Sequence, residues 1–200
     1  VNADIRALSY QLYENNGVVK RSNISTYLKK INQDDRKKLR KLGVRFGRYH
    51  VFLFKLFKPS SVSLRVLLWK SYNNKFLNLS PPTFGLNFLN NMKTANRDFM
   101  LLCGFEKFDD IYVRIDILER LFLLIFNSQK NEQKEIKVIP EMLNLLGCSK
   151  ENFKKLLTKM NYKINEKEKE FFIRYHPVKK KIFKKHDKKD YSNNPFSVLN

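Results

Sequence analysis

The block Leu39–Trp69, LRKLGVRFGRYHVFLFKLFKPSSVSLRVLLW, constrains the fold of this chain more than any other stretch. A basic helix runs into Gly43, and two aromatic and β-branched runs then flank Gly47-Arg48. Glycine after the last periodic residue stops a helix. Gly-X between two such runs signals a hairpin of type II′. Pro59 then opens a further helix at the one position where its missing N–H costs nothing. Ser60 to Tyr72 carries Val62, Leu64, Val66, Leu67, Leu68 and Trp69 on most sides, which predicts a buried helix with Trp69 in the core.

Upstream, Ile5, Leu8 and Leu12 form the apolar stripe of a helix from Ala3 to Glu14, ended by Asn15-Asn16-Gly17. Val18-Val19 is extended. Ser22 or Asn23 caps a second helix through Ile31, and Asn32 caps a third from Gln33 to Leu42. Helix, helix, basic helix, hairpin is the order of a winged helix-turn-helix, although Phe52 to Phe57 suits a helix as well as a strand.

Asn73 to Thr94, with Ser80-Pro81-Pro82 and Gly85, reads as an irregular connector packed on a surface through its apolar residues. Asn96 to Leu102 is a short helix, and FEKF and IYVRI are strands joined by Asp109-Asp110. The earlier order then recurs. Asp116 caps a helix to Phe126, Pro140 to Leu146 is a helix stopped by Gly147, and Ser149 caps a basic helix to Met160. Tyr162–Ile164 and Phe171–Tyr175 bracket a charged turn. The expected fold is therefore mainly α with small β-hairpins (α+β), as two winged-helix-like units: residues 1–72, a connector at 73–94, a second unit at 95–176, and a basic disordered tail at 177–200.

Of the 200 residues 40 are basic and 19 acidic, a net charge of +21 that favours a polyanion partner. Clustered cations mark where: Arg36, Lys37, Lys38, Arg40 and Lys41 on one helix, extended by Arg45 and Arg48, and Lys150, Lys154, Lys155, Lys159 and Lys163 on the other. Such side chains engage phosphates as charges, and Arg45 and Arg48 beside Phe46 and Tyr49 are placed to stack on unpaired bases. Lys179 to Lys189 forms a lysine-rich tail of the kind that binds nucleic acid. The alternatives are a free-standing basic winged-helix DNA- or RNA-binding protein and a scaffold whose Val51–Phe57 run docks a protein.

No phosphate loop, dinucleotide fingerprint or HExxH motif is present. His50, His176 and His186 lie in unrelated settings, and His50, alternating with aromatics, reads as a packed strand residue. No residue is assigned a catalytic or metal-ligating role. Cys103 and Cys148 are far apart and suit a reducing cytosol, and no apolar run approaches the roughly 18 residues of a membrane span. The chain begins Val-Asn-Ala-Asp and reads as a fragment of something longer.

The run DDRKKLRKLGVRFGRYHVFL at 34–53, followed by Leu56-Phe57-Lys58-Pro59 and Leu64-Arg65-Val66-Leu67-Leu68-Trp69, resembles the C-terminal region of alphaproteobacterial superfamily 2 helicases related to the mitochondrial RNA-degradosome helicase. Gly104-Phe105, the run from Val113 to Arg120, and Leu145-Leu146-Gly147-Cys148-Ser149 follow in the order expected there. The resemblance covers most of residues 1–175. It implies an ATP-dependent helicase whose motor domains precede Val1, with this segment helping to hold the strand, which by analogy is single-stranded RNA. ATP and magnesium are then expected only at the upstream motor, and this chain, lacking the motor motifs, is not expected to catalyse alone.

Overall fold

The structure, a computed structural model, describes residues 2–73, 78–92, 95–128, 135–167 and 170–175; the expected basic tail lies outside them. The chain is an α+β protein whose described strands form three-stranded antiparallel sheets.

The first sheet belongs to α1 (Ala3–Glu14), β1 (Val18–Lys20), α2 (Ser25–Lys30), α3 (Gln33–Lys41), β2 (Val44–Phe46) and β3 (His50–Leu53), with strand order β1-β3-β2. This is the helix–strand–helix–helix–hairpin order of a winged helix. The helix entries follow from local chemistry. The Asn2 side chain accepts from the Asp4 N–H, and that of Asn32 accepts from the Asp35 N–H at 2.8 Å, meeting donors that have no partner inside the helix. Asn32→Ala should lower the unfolding free energy by about 1 kcal/mol, read as a shift in denaturation midpoint. The expected cap of α2 is absent. Its preceding residue is Ile24, which is fully buried, and Ser22 donates instead to Asn23. Leu8, Leu12, Val19, Ile24, Leu28, Leu39 and Val51 close the core beneath this sheet.

Gly47 does not take a positive φ, so the hairpin is not of type II′. Its turn spans Gly47 to Tyr49, and the Gly47 N–H donates to the His50 carbonyl at 2.8 Å. Phe54–Phe57 continues as a 3-10 turn, while His50–Leu53 remains a strand paired on both sides.

The segment read as a connector supplies β4 (Phe88–Leu89). With α4 (Pro59–Tyr72), α5 (Arg97–Leu102), β5 (Phe105–Phe108) and β6 (Ile111–Arg114) it builds a middle unit of sheet order β4-β6-β5, with one helix fewer than the first among the described residues. Here α4 departs from expectation: Val62 and Val66 are buried, but Leu64, Leu67 and Leu68 are more than half exposed. The helix packs along one side only, where Trp69 is half-buried 5.5 Å from the Phe99 ring.

The last unit repeats the first: α6 (Ile115–Ser128), β7 (Ile136–Lys137), α7 (Pro140–Leu146), α8 (Lys150–Lys159), β8 (Tyr162–Lys167) and β9 (Glu170–Tyr175), ordered β7-β9-β8. Gly147 ends α7 in the left-handed region, and the Ser149 hydroxyl accepts from the Asn152 N–H. Asp116 is not a cap. α6 starts one residue earlier, and the Asp116 carboxylate pairs with Arg114 at 2.6 Å. Ile111 and Val113 of β6 join the core of this unit, and Val18, Phe52 and Ile115 form an apolar seam between the first unit and α6.

Candidate nucleic-acid interface

The wing turn of the first unit is held by a single carboxylate from the last. Successive amides of Arg48, Tyr49 and His50 converge on Glu119 of α6, at 2.5 Å to Oε2 and 3.1 and 2.7 Å to Oε1. Consecutive N–H groups in such a turn form a concave anion site. Gly47 makes it accessible, because a Cβ there would lie 2.4 Å from Glu119 Oε2 and 2.8 Å from its Cγ. The glycine is thus needed for space and not for its φ.

His50 extends this cluster into the middle unit. Its Nδ1 lies 2.9 Å from Glu119 Oε1 and its Nε2 3.3 Å from Glu106 Oε2, while Lys20 reaches Glu106 Oε1 at 3.0 Å. Ionised carboxylates only accept, so satisfying both requires a proton on each ring nitrogen. Burial alone would lower the pKa of His50, but the hydrogen bonds to Glu106 and Glu119 outweigh it and raise the value above 6.5. For Glu106, burial pushes upward and the bonds from His50 and Lys20 bring the pKa below 4.5. Two cations and two carboxylates then balance in a site where His50, Glu106 and Glu119 are each about 5% exposed. The carboxylates occupy opposite ring nitrogens, which leaves no position for an ion shared by all three.

This arrangement fixes a pH dependence. The His50 contribution is complete below about 6.5 and is lost as pH rises through its raised folded value. The Glu106 contribution is complete above about 4.5 and is lost as pH falls through its depressed folded value. Stability should therefore peak between these limits and fall on the alkaline side as His50 loses a proton. His50→Gln should flatten that alkaline limb in unfolding curves measured against pH.

Sequence reasoning saw His50 as a packed strand residue, which it is, but found no carboxylate near it. Glu119 carries a faint signal: it lies four residues after Ile115 and three before Phe122, on the buried stripe of α6. Glu106 is a charged residue next to buried Phe105.

The expected cations divide by environment. The Arg36 guanidinium turns inward to donate to the Leu28 carbonyl, and its Nε is buried without a partner, so it ties α2 to α3. Arg36 and Arg40 converge over the Phe46 ring, at 6.0 and 5.6 Å. Lys150 and Lys154 do the same over Phe171, at 6.0 and 5.2 Å. In both complete units, the basic third helix therefore lays two cations across a ring of its own sheet, an orientation worth of order 1 kcal/mol at exposed sites. Arg45 faces Phe54 at 5.7 Å and Arg48 faces Phe126 at 4.4 Å. One face of each guanidinium is thus covered by a ring of the chain itself.

Lys37 and Lys38 pair with Asp34 and Asp35, at 3.2 and 3.7 Å, Lys154 pairs with Glu166, and Lys159 with Asp109. Pairs at the surface such as these contribute little to stability. Lys41 and Lys155 are exposed, with no salt-bridge partner among the described residues. Lys163 is exposed on β8. Arg48 and Lys159, from different units, line one cleft together with Lys20, Arg21 and Lys107, none of which stood out in the sequence. Both thiols are free, and burial pushes each to about 11. Among the described residues no helix is long and apolar enough to cross a membrane. No known family model matches the chain, and no curated protein matches it.

Proposed function

We propose that this chain is a nucleic-acid-binding accessory region, acting on single-stranded RNA within a cytoplasmic helicase-like protein. The observation that carries the reading is the repeated exposure of cations on the third helix of two winged-helix units: Lys37, Arg40 and Lys41 on α3, Lys150, Lys155 and Lys159 on α8. In helix-turn-helix proteins that helix is the one presented to the nucleic acid. The resemblance over 34–69 favours RNA and a motor supplied by the preceding part of the protein. The exposed leucines of α4 are the apolar face on which that motor would dock in cis. ATP and magnesium belong to the motor and not to these residues.

Fluorescence anisotropy of a labelled single-stranded RNA, titrated at several salt concentrations, tests the binding. Three to six phosphate contacts at about 0.7 each predict a slope of about −2 to −4 in log K against log salt. Affinity that is flat between about 50 and 200 mM salt would contradict the reading.

A further inference from the structure

The cleft that Arg48 and Lys159 share has a volume of about 650 Å³. That lies within the roughly 300–1,000 Å³ of small-molecule sites. Each unit supplies a wall: Lys20, Arg21, Ser22 and Ser25 at and after the end of β1 with the wing turn from the first, Lys107 and Phe108 of β5 from the middle one, and the α8–β8 turn with Tyr175 from the last. The lining divides by depth. Leu118, Phe122 and Met160 are buried, whereas Lys20, Arg21, Arg48 and Lys159 are exposed.

Two tyrosines stand at this boundary with rings still open to solvent, Tyr49 at 39% and Tyr175 at 44% exposure. Both are braced from behind, Tyr49 by Phe122 at 4.0 Å between ring centroids and Tyr175 by Tyr162 at 5.3 Å. Side chains already held by packing lose little freedom when a third ring is added to them. The charge at the site is matched to an anion. Glu106, the one carboxylate in the lining among the described residues, is neutralised by Lys20 and His50, and Lys159 is paired with Asp109, so Arg21 and Arg48 are the mouth cations with no salt-bridge partner among the described residues.

We propose that this cleft takes one unstacked nucleotide of the bound strand, with its base against Tyr49 and Tyr175 and its phosphates at Arg21, Arg48 and Lys159. The inference rests on the strand-binding reading above and adds a position and an orientation to it. Ring and charge in one concavity are what a nucleotide, flat on one side and anionic on the other, requires. Because all three units contribute walls, occupancy would also hold the units in the arrangement set by Glu119.

The test uses the full chain and a single-stranded RNA 12-mer carrying 4-thiouridine, irradiated and mapped by mass spectrometry. Crosslinks are expected on the peptides containing Tyr49, Phe108 and Tyr175. Tyr175→Ala should weaken the RNA about tenfold, the stacking of one base, while Tyr175→Phe keeps the ring and should stay near wild type. Uridine monophosphate, competing at millimolar concentration, should displace little of the 12-mer. Complete displacement would make the cleft a site for free nucleotide and overturn the assignment to a strand. Crosslinks confined to α3 and α8, with Tyr175→Ala binding normally, would overturn the cleft and leave the broader reading standing. Absence of any RNA binding would overturn both.

Discussion

Glu119→Ala should lower the unfolding free energy by about 3–5 kcal/mol, among the largest effects of any single substitution in this chain. The carboxylate accepts three backbone N–H groups and one imidazole N–H, and hydrogen bonds to a charged acceptor are the strong ones. Truncation leaves those donors without a protein partner. It also leaves His50 facing Glu106 alone, so the charge balance of the buried cluster is lost with the bonds. Glu119→Gln should fall between wild type and Ala, because one of its two terminal atoms no longer accepts. Urea titration followed by circular dichroism reads all three proteins. A loss below about 1 kcal/mol for Glu119→Ala would mean that water replaces the carboxylate freely and that the turn is not held by it.

Gly47→Ala is the second large effect, and its cause is the same carboxylate. The added Cβ would overlap Oε2, Cδ and Cγ of Glu119 at 2.4, 2.5 and 2.8 Å. No side chain tolerates such distances, so the glutamate must leave the turn and abandon its hydrogen bonds. The expected cost is about 3 kcal/mol, at the upper end of what overpacking alone produces. The two substitutions must then be strongly non-additive. Once Glu119 is alanine there is little left to collide with, and Gly47→Ala in that background should cost under about 1 kcal/mol. Additive losses in the double-mutant cycle would show that Gly47 matters for some reason other than the room it gives Glu119.

Elements set by local chemistry were legible in the sequence. Asn32, Ser149, Gly43, Gly147, Pro59 and Pro140 mark helix ends through capping, φ and the missing proline N–H, and α3, α4, α7 and α8 follow from them to within a residue. The repeated helix–helix–basic helix–hairpin order is also local in origin. What was not legible depends on partners distant in the chain. β4 is two residues in an Asn-rich stretch and exists because β6 offers it an edge. The apolar residues of α4 look like core, yet Leu64, Leu67 and Leu68 face outward because its packing lies along one side. Gly47 resembles a turn glycine until Glu119, seventy-two positions later, is placed against it. The candidate site divides in the same way. Which helices are basic is plain from composition, but Arg36 turning inward and Arg48 lying on Phe126 follow only from tertiary neighbours.

Whether α3 and α8 carry the strand is read most directly from two triple variants that remove the same charge. Arg40, Lys41 and Lys155 are exposed on those helices, whereas Arg6, Lys58 and Arg97 are exposed on α1, before α4 and on α5. Alanine at the first set should weaken single-stranded RNA by at least about tenfold at moderate salt and make the salt slope shallower by about 2, while alanine at the second set should stay within about twofold of wild type. Equal losses from the two sets would contradict the placement of the interface and reduce the binding to net charge.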